Sequence, residues 1–251
     1  MRGGVEPSSR ASFRNCKKGL KKFLAFTLAE TLIVMGIIGI VSALTLPNLN
    51  SSTGEKEKVA KVKKIYQNLT DAFERSQVVY GPIDDVIAEK DLTSSNVSDF
   101  SKVVGERLIE FMKISKNCET DYSKGCFPSS SDGDEDDLKS YSFILADGSS
   151  VMLAPAWGVG LAILIDIDGP NKGPSETYKD LFIFYLDPNT NYSELKPLGE
   201  AENCKTLENN GLAGCTAWVI QNGNMDYLKT DSSGKCPNGK ILDGTTNITC
   251  K

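Results

Sequence analysis

The sequence predicts an α+β protein: a long N-terminal helix packed on a small antiparallel sheet, with a disulfide-bearing C-terminal head. Three observations predict it. Residues 26–46 form an apolar run, and apolar positions then recur at three- and four-residue spacing towards Tyr80. From Tyr141 onward, short runs rich in β-branched and aromatic residues alternate with turn signals. Six of the seven cysteines lie between Cys118 and Cys250.

The elements follow in order. Residues 1–25 are a basic leader with seven Lys/Arg and one Glu, and Lys17, Lys18, Lys21 and Lys22 stand just before the apolar run. The run Phe26–Leu46 has 21 residues and one charge, Glu30. As a helix it spans about 30 Å, the thickness of a bilayer's hydrocarbon core. Lysines before it and none within it place the N-terminus in the cytoplasm and the rest of the chain outside. A carboxylate in hydrocarbon costs on the order of a few kcal/mol and needs a partner. Residues 48–54 (NLNSSTG) read as a break. Helical periodicity resumes at Glu55, with Val59, Val62, Ile65, Tyr66, Leu69, Ala72 and Phe73 on one face, and Gly81-Pro82 stops it.

A second helix is expected over Asp99–Ile114, with Ser98 as its N-cap. Ser129–Asp137 (SSSDGDEDD) reads as a charged, solvated loop. Tyr141–Leu145 and Ser150–Leu153 flank Asp147-Gly148, a hairpin signal. Leu161–Ile167, Leu181–Leu186 and Thr216–Gln221 are read as further strands, giving a sheet of about four. The chain therefore divides into a leader (1–25), a hydrophobic then amphipathic helix (26–80) and an extracytoplasmic α+β head (81–251).

Charge and composition exclude several function classes. The chain has 28 Lys/Arg and 33 Asp/Glu, so removing the leader leaves 21 basic and 32 acidic residues, a net charge of −11. Such a head is unsuited to nucleic acid, whose binding rests on phosphate neutralisation. The chain contains no histidine, which excludes Ser–His and Cys–His nucleophiles and His-bearing zinc sites. No enzyme activity is expected. Cys16 lies in the leader, on the reducing side. The other six, Cys118, Cys126, Cys204, Cys215, Cys236 and Cys250, lie in the exported part, where an even count reads as disulfides. Sequence does not choose among the many pairings; short loop closure favours 118–126, 204–215 and 236–250.

The segment around Glu30 resembles the prepilin-type N-terminal cleavage and methylation segment of type IV pilins and type II secretion pseudopilins. In that family a basic leader ends in a small residue, a peptidase on the cytoplasmic face cuts there, and the new N-terminal Phe is methylated. A Glu lies four residues further on, and a Pro marks the outer end of the apolar helix. Here Ala25 is the small residue, Phe26 the new terminus, Thr27 and Leu28 continue the Phe-Thr-Leu pattern, Glu30 has the required spacing, and Pro47 stands at the outer end. The family's residue before the cut is nearly always Gly, where this chain has Ala25, the next smallest side chain. The resemblance covers about the first fifth of the chain. It implies a pilin-like fold, a single-pass protein of the bacterial inner membrane, and processing by a prepilin peptidase. It also implies assembly with other pilin or pseudopilin subunits into a periplasmic or surface filament. The alternative within the family is a minor pilin acting as a tip adhesin or DNA-uptake module; the acidic head counts against DNA.

One further site is read from the residues. Between two apolar runs lies a loop, Asp166–Asp180, in which Asp166, Asp168 and Asn171 offer oxygens and Gly169 allows a sharp turn. Some pseudopilins hold calcium in a head loop, so these three are candidate calcium ligands. The competing reading is a plain turn. Trp218 and Tyr227 are read as core.

Overall fold

The computed structural model describes residues 27–83, 97–128, 140–156, 160–173, 175–187, 190, 192–204 and 214–251. The chain divides into two compact units, Met1–Leu49 and Asn50–Lys251. Helix α1, Leu28–Tyr80, has residues in both and is taken in two parts. Residues 48–54, expected as a break, are helical. Ser and Asn cost only tenths of a kcal/mol in a helix, and Gly about 1 kcal/mol, so strong helix on both sides carries through them.

In the first unit, every residue from Thr27 to Val41 is exposed. Among the described residues, no helix is long and apolar enough to cross a membrane. The expected span starts at Phe26, outside the described residues.

In the second unit, α1 buries Val59, Val62, Ile65, Leu69, Ala72 and Phe73 along the face its periodicity predicts. Tyr66 stacks on Phe184 with ring centroids 5.0 Å apart, and its hydroxyl donates to the Leu195 carbonyl. The helix stops where Gly81 adopts φ 83° and donates back to the Gln77 carbonyl, with Pro82 beyond it.

Helix α2 spans Val97–Ile109, two residues earlier at its start and five shorter at its end than expected. Phe111 and Met112 close a tight turn onto Leu108 and Ile109, and Ile114 opens a strand instead. Gly105 lies against the Tyr141 ring: a Cβ there would sit 2.2 Å from a ring carbon, so only glycine lets α2 approach the sheet this closely.

The sheet has six strands, β1 (Ile114–Glu119), β2 (Tyr141–Leu145), β3 (Ser150–Ala156), β4 (Gly160–Asp166), β5 (Leu181–Leu186) and β6 (Leu195–Pro197). They lie side by side in chain order, each antiparallel to the next. Rows across it explain the core: Phe143, Val151, Ile165 and Phe182 are in register, as are Tyr141, Leu153, Ile163 and Phe184. All eight are buried. The expected hairpin forms at Asp147-Gly148, with the Asp147 carboxylate accepting the Ser149 N–H. β1 and β6 were not expected. β1 reads ISKNCE, too polar for a strand signal, and it pairs through two irregularities; β6 has only three residues.

Thr216–Gln221, expected as a strand, belongs to helix α3, Cys215–Asn222. Cys215 through Val219 are consecutively buried, so no period distinguished helix from strand. Tertiary contacts decide it. Cys215 is tied to Cys204, Thr216 Oγ1 accepts the Ile183 N–H at the end of β6's short ladder, and Gly223 caps the helix in the left-handed region. The disulfides are Cys118–Cys126, Cys204–Cys215 and Cys236–Cys250.

The C-terminal tail is held by Asp226, which is buried. Its Oδ1 meets Lys229, which also pairs with Glu55 of α1, and its Oδ2 accepts the Cys250 N–H. Burial alone would raise this carboxyl; the Lys229 ammonium and the Cys250 N–H outweigh it and hold it below its ordinary value. A depressed folded-state value means stability present above the usual carboxylate range and lost as pH falls below about 4. Asp226→Asn is expected to lower stability by about 1–3 kcal/mol at neutral pH. Paired thermal melts should show that gap narrowing in acid; a gap independent of pH would contradict the charged role.

Candidate functional site

Three regions carry chemistry. The first is the N-terminal segment. Ala25 and Phe26 lie outside the described residues. Thr27 and Glu30 make a capping box at the start of α1: the Thr27 N–H and hydroxyl both donate to Glu30 Oε2, at 2.9 and 2.8 Å, and the Glu30 N–H donates to Thr27 Oγ1 at 3.3 Å. The sequence signal was present, a Thr three residues before a Glu at the head of an apolar run, and it was not read as a cap. Among the described residues Oε1 of Glu30 has no hydrogen-bond partner, so the box holds the carboxylate by one oxygen. Pro47 lies within α1.

The second region is the connection from β4 to β5, where calcium ligands were expected. Asp166 is buried, and its Oδ1 accepts the N–H groups of Asp168 and Gly169, both at 2.9 Å. Its Oδ2 accepts the Ser175 hydroxyl. This is an Asx turn, with the carboxylate already committed to N–H and O–H donors. Gly169 is at φ 84°, and a Cβ there would lie 2.2 Å from the Gly148 carbonyl oxygen, so the turn is wedged against the β2–β3 hairpin. Asp168 faces Lys58 at 4.0 Å, and Asn171 is exposed. Asp180 accepts the Glu176 N–H; burial, with Asp166 and Asp168 nearby, pushes its carboxyl up against the pull of that N–H and of Lys58. Among the described residues no three His, Cys, Asp or Glu are grouped to hold a metal. The donor set does not fit calcium: the one buried carboxylate points its lone pairs at protein donors.

Lys58 and Lys61 belong to this site and were missed. Lys61 Nζ donates to the Ile167 carbonyl, and Lys58 Nζ donates to the Lys179 carbonyl at 3.2 Å. Their signal was their spacing: three apart, flanking the buried stripe at Val59 and Val62. Trp218 and Tyr227 are core, as expected. Their rings meet edge-on at 6.2 Å, the indole N–H donates to Asn224, and the Tyr227 hydroxyl donates to the Tyr178 carbonyl at 2.6 Å. Burial pushes the Tyr178 hydroxyl up to about 12 and Tyr227 higher still.

The third region is a cleft of about 420 Å³ between α1, the turn after α2 and the β2–β3 hairpin. It is lined by Lys64, Arg75 and Lys113, by Asp71 and Asp147, and by the apolar Ala72, Met112 and Leu145. Three cationic and two anionic side chains line it, close to balance.

No family model, curated protein or solved structure matches this chain.

Proposed function

We propose that the chain is a structural subunit of a type II secretion pseudopilus or a type IV pilus, assembled from the inner membrane after a prepilin peptidase removes residues 1–25. One observation carries the reading: four lysines, a small residue at Ala25, then Phe-Thr-Leu-Ala-Glu opening an apolar run. An α+β head with three disulfides agrees with an exported protein.

The chemistry follows from the termini. Cleavage frees an α-amine at Phe26, whose ordinary pKa near 8 leaves it charged at neutral pH. Glu30 lies one helical turn on. The Thr27 cap engages Oε2, and among the described residues nothing bonds Oε1, where this reading places an ammonium. An amine from a neighbouring subunit staggered by a turn would then remove two costly unpaired charges from a dry filament core. Pairing of this kind sets register as well as attraction.

The test is N-terminal mass spectrometry of the membrane form from cells with an active prepilin peptidase. The expected N-terminal peptide begins at Phe26 and carries one methyl group. An intact leader in those cells overturns the reading. Ala25→Gly is expected to leave cleavage unchanged or faster.

A further inference from the structure

We infer that the ammonium groups of Lys58 and Lys61 do in this head what a bound divalent cation would do: they cross-link the two ends of the β4–β5 connection, so that the loop holds its shape without calcium.

The geometry is specific. Ile167 stands directly after β4, and Lys179 stands two residues before β5. The Ile167 N–H bonds the Asp180 carbonyl, so the loop's two ends lie side by side. Their outward carbonyls, Ile167 and Lys179, are the acceptors that Lys61 and Lys58 reach from one face of α1. Lys58 also stands 4.0 Å from Asp168 Oδ2.

Calcium needs six to eight oxygens, drawn from carboxylates, carbonyls and waters. Here the carbonyls face lysine nitrogens, and Asp166 spends its oxygens inside the turn. An ammonium has three donors and a full positive charge. Two of them set positive charge beside three carboxylates, Asp166, Asp168 and Asp180; burial, and then Asp166 and Asp168, push the Asp180 carboxyl up, while Lys58 pulls it down. The lysines also tie the loop to α1, which a cation held within the loop would not do. The Ile167 carbonyl further accepts the Ser149 hydroxyl at 3.3 Å, joining the hairpin to the same clamp.

This inference concerns the head alone and stands or falls independently of the filament reading. The test uses the full chain in detergent micelles, melted by near-ultraviolet circular dichroism in excess chelator and in calcium chloride. Wild type is expected to melt at one temperature in both. Lys58→Met with Lys61→Met is expected to lower Tm by about 4–8 °C, the loss of two charged hydrogen bonds in a domain of this size. Limited proteolysis within 167–180 should accelerate in parallel. Should the double variant fail to fold, each single variant is expected to show a smaller shift in the same direction. A calcium-dependent rise in wild-type Tm overturns the inference, as do lysine variants that melt like wild type.

Discussion

Reduction of the disulfides is expected to unfold the head. The three bridges close short loops, with sequence separations of 8, 11 and 14 residues. Each contributes roughly 2–4 kcal/mol, and together they match the roughly 5–15 kcal/mol by which a whole domain is stable. Cys204–Cys215 is expected to matter most. Cys118 and Cys126 are as deeply buried, but the Cys204–Cys215 bridge alone fixes α3, whose Trp218 and Val219 are fully enclosed. Thiol titration of the denatured, unreduced chain should count Cys16 alone, or nothing once residues 1–25 are gone; reduction should expose six more. Near-ultraviolet dichroism and the cooperative melt should disappear together under reductant. A reduced chain that keeps its melt would show that the apolar core suffices, and two or more extra thiols before reduction would contradict the pairing.

Glu30→Val is expected to insert in the membrane and be processed, yet fail to assemble. Insertion becomes easier, since a buried carboxylate is removed. Assembly loses the partner of the Phe26 amine, and an unpaired buried charge costs roughly 3–5 kcal/mol, more than a hundredfold at each subunit contact. The capping box makes a second variant decisive. Glu30→Gln can still reach back to the Thr27 N–H and cap α1, but carries no charge. If the role is charge pairing, Gln fails as Val does. Filaments counted by microscopy, or secretion of the system's substrate, read the result. Normal assembly with Glu30→Gln would return Glu30 to the role of a helix cap.

Legibility followed the range of the interactions. The amphipathic face of α1, its stop at Gly81-Pro82 and the β2–β3 hairpin are set by neighbours within a few residues, and all were readable. Trp218 was placed in the core correctly, but in the wrong kind of element. A run buried on every side has no periodicity, and Cys204, Ile183 and Gly223 made it a helix. β1 was invisible for a related reason: its residues are polar, and its ladder is supplied by β2. In the β4–β5 loop, Asp166, Asp168 and Asn171 looked like ligands because a sequence lists oxygens without showing where they point. Two of them turned out to be a turn former and a partner for Lys58.

By itself the sequence determined the basic segment 1–25, the apolar run with its lone Glu30, the acidic histidine-free remainder, and an even set of six cysteines from Cys118 onward. These depend on composition and on order along the chain. Only the tertiary structure decided the six-strand order, the helical state of 215–222 and the lysine clamp on the β4–β5 loop. The helix and the clamp depend on groups more than thirty residues apart in the chain, and the strand order on ladders between separate segments; hydrogen bonds and close packing between such groups leave no local pattern to read.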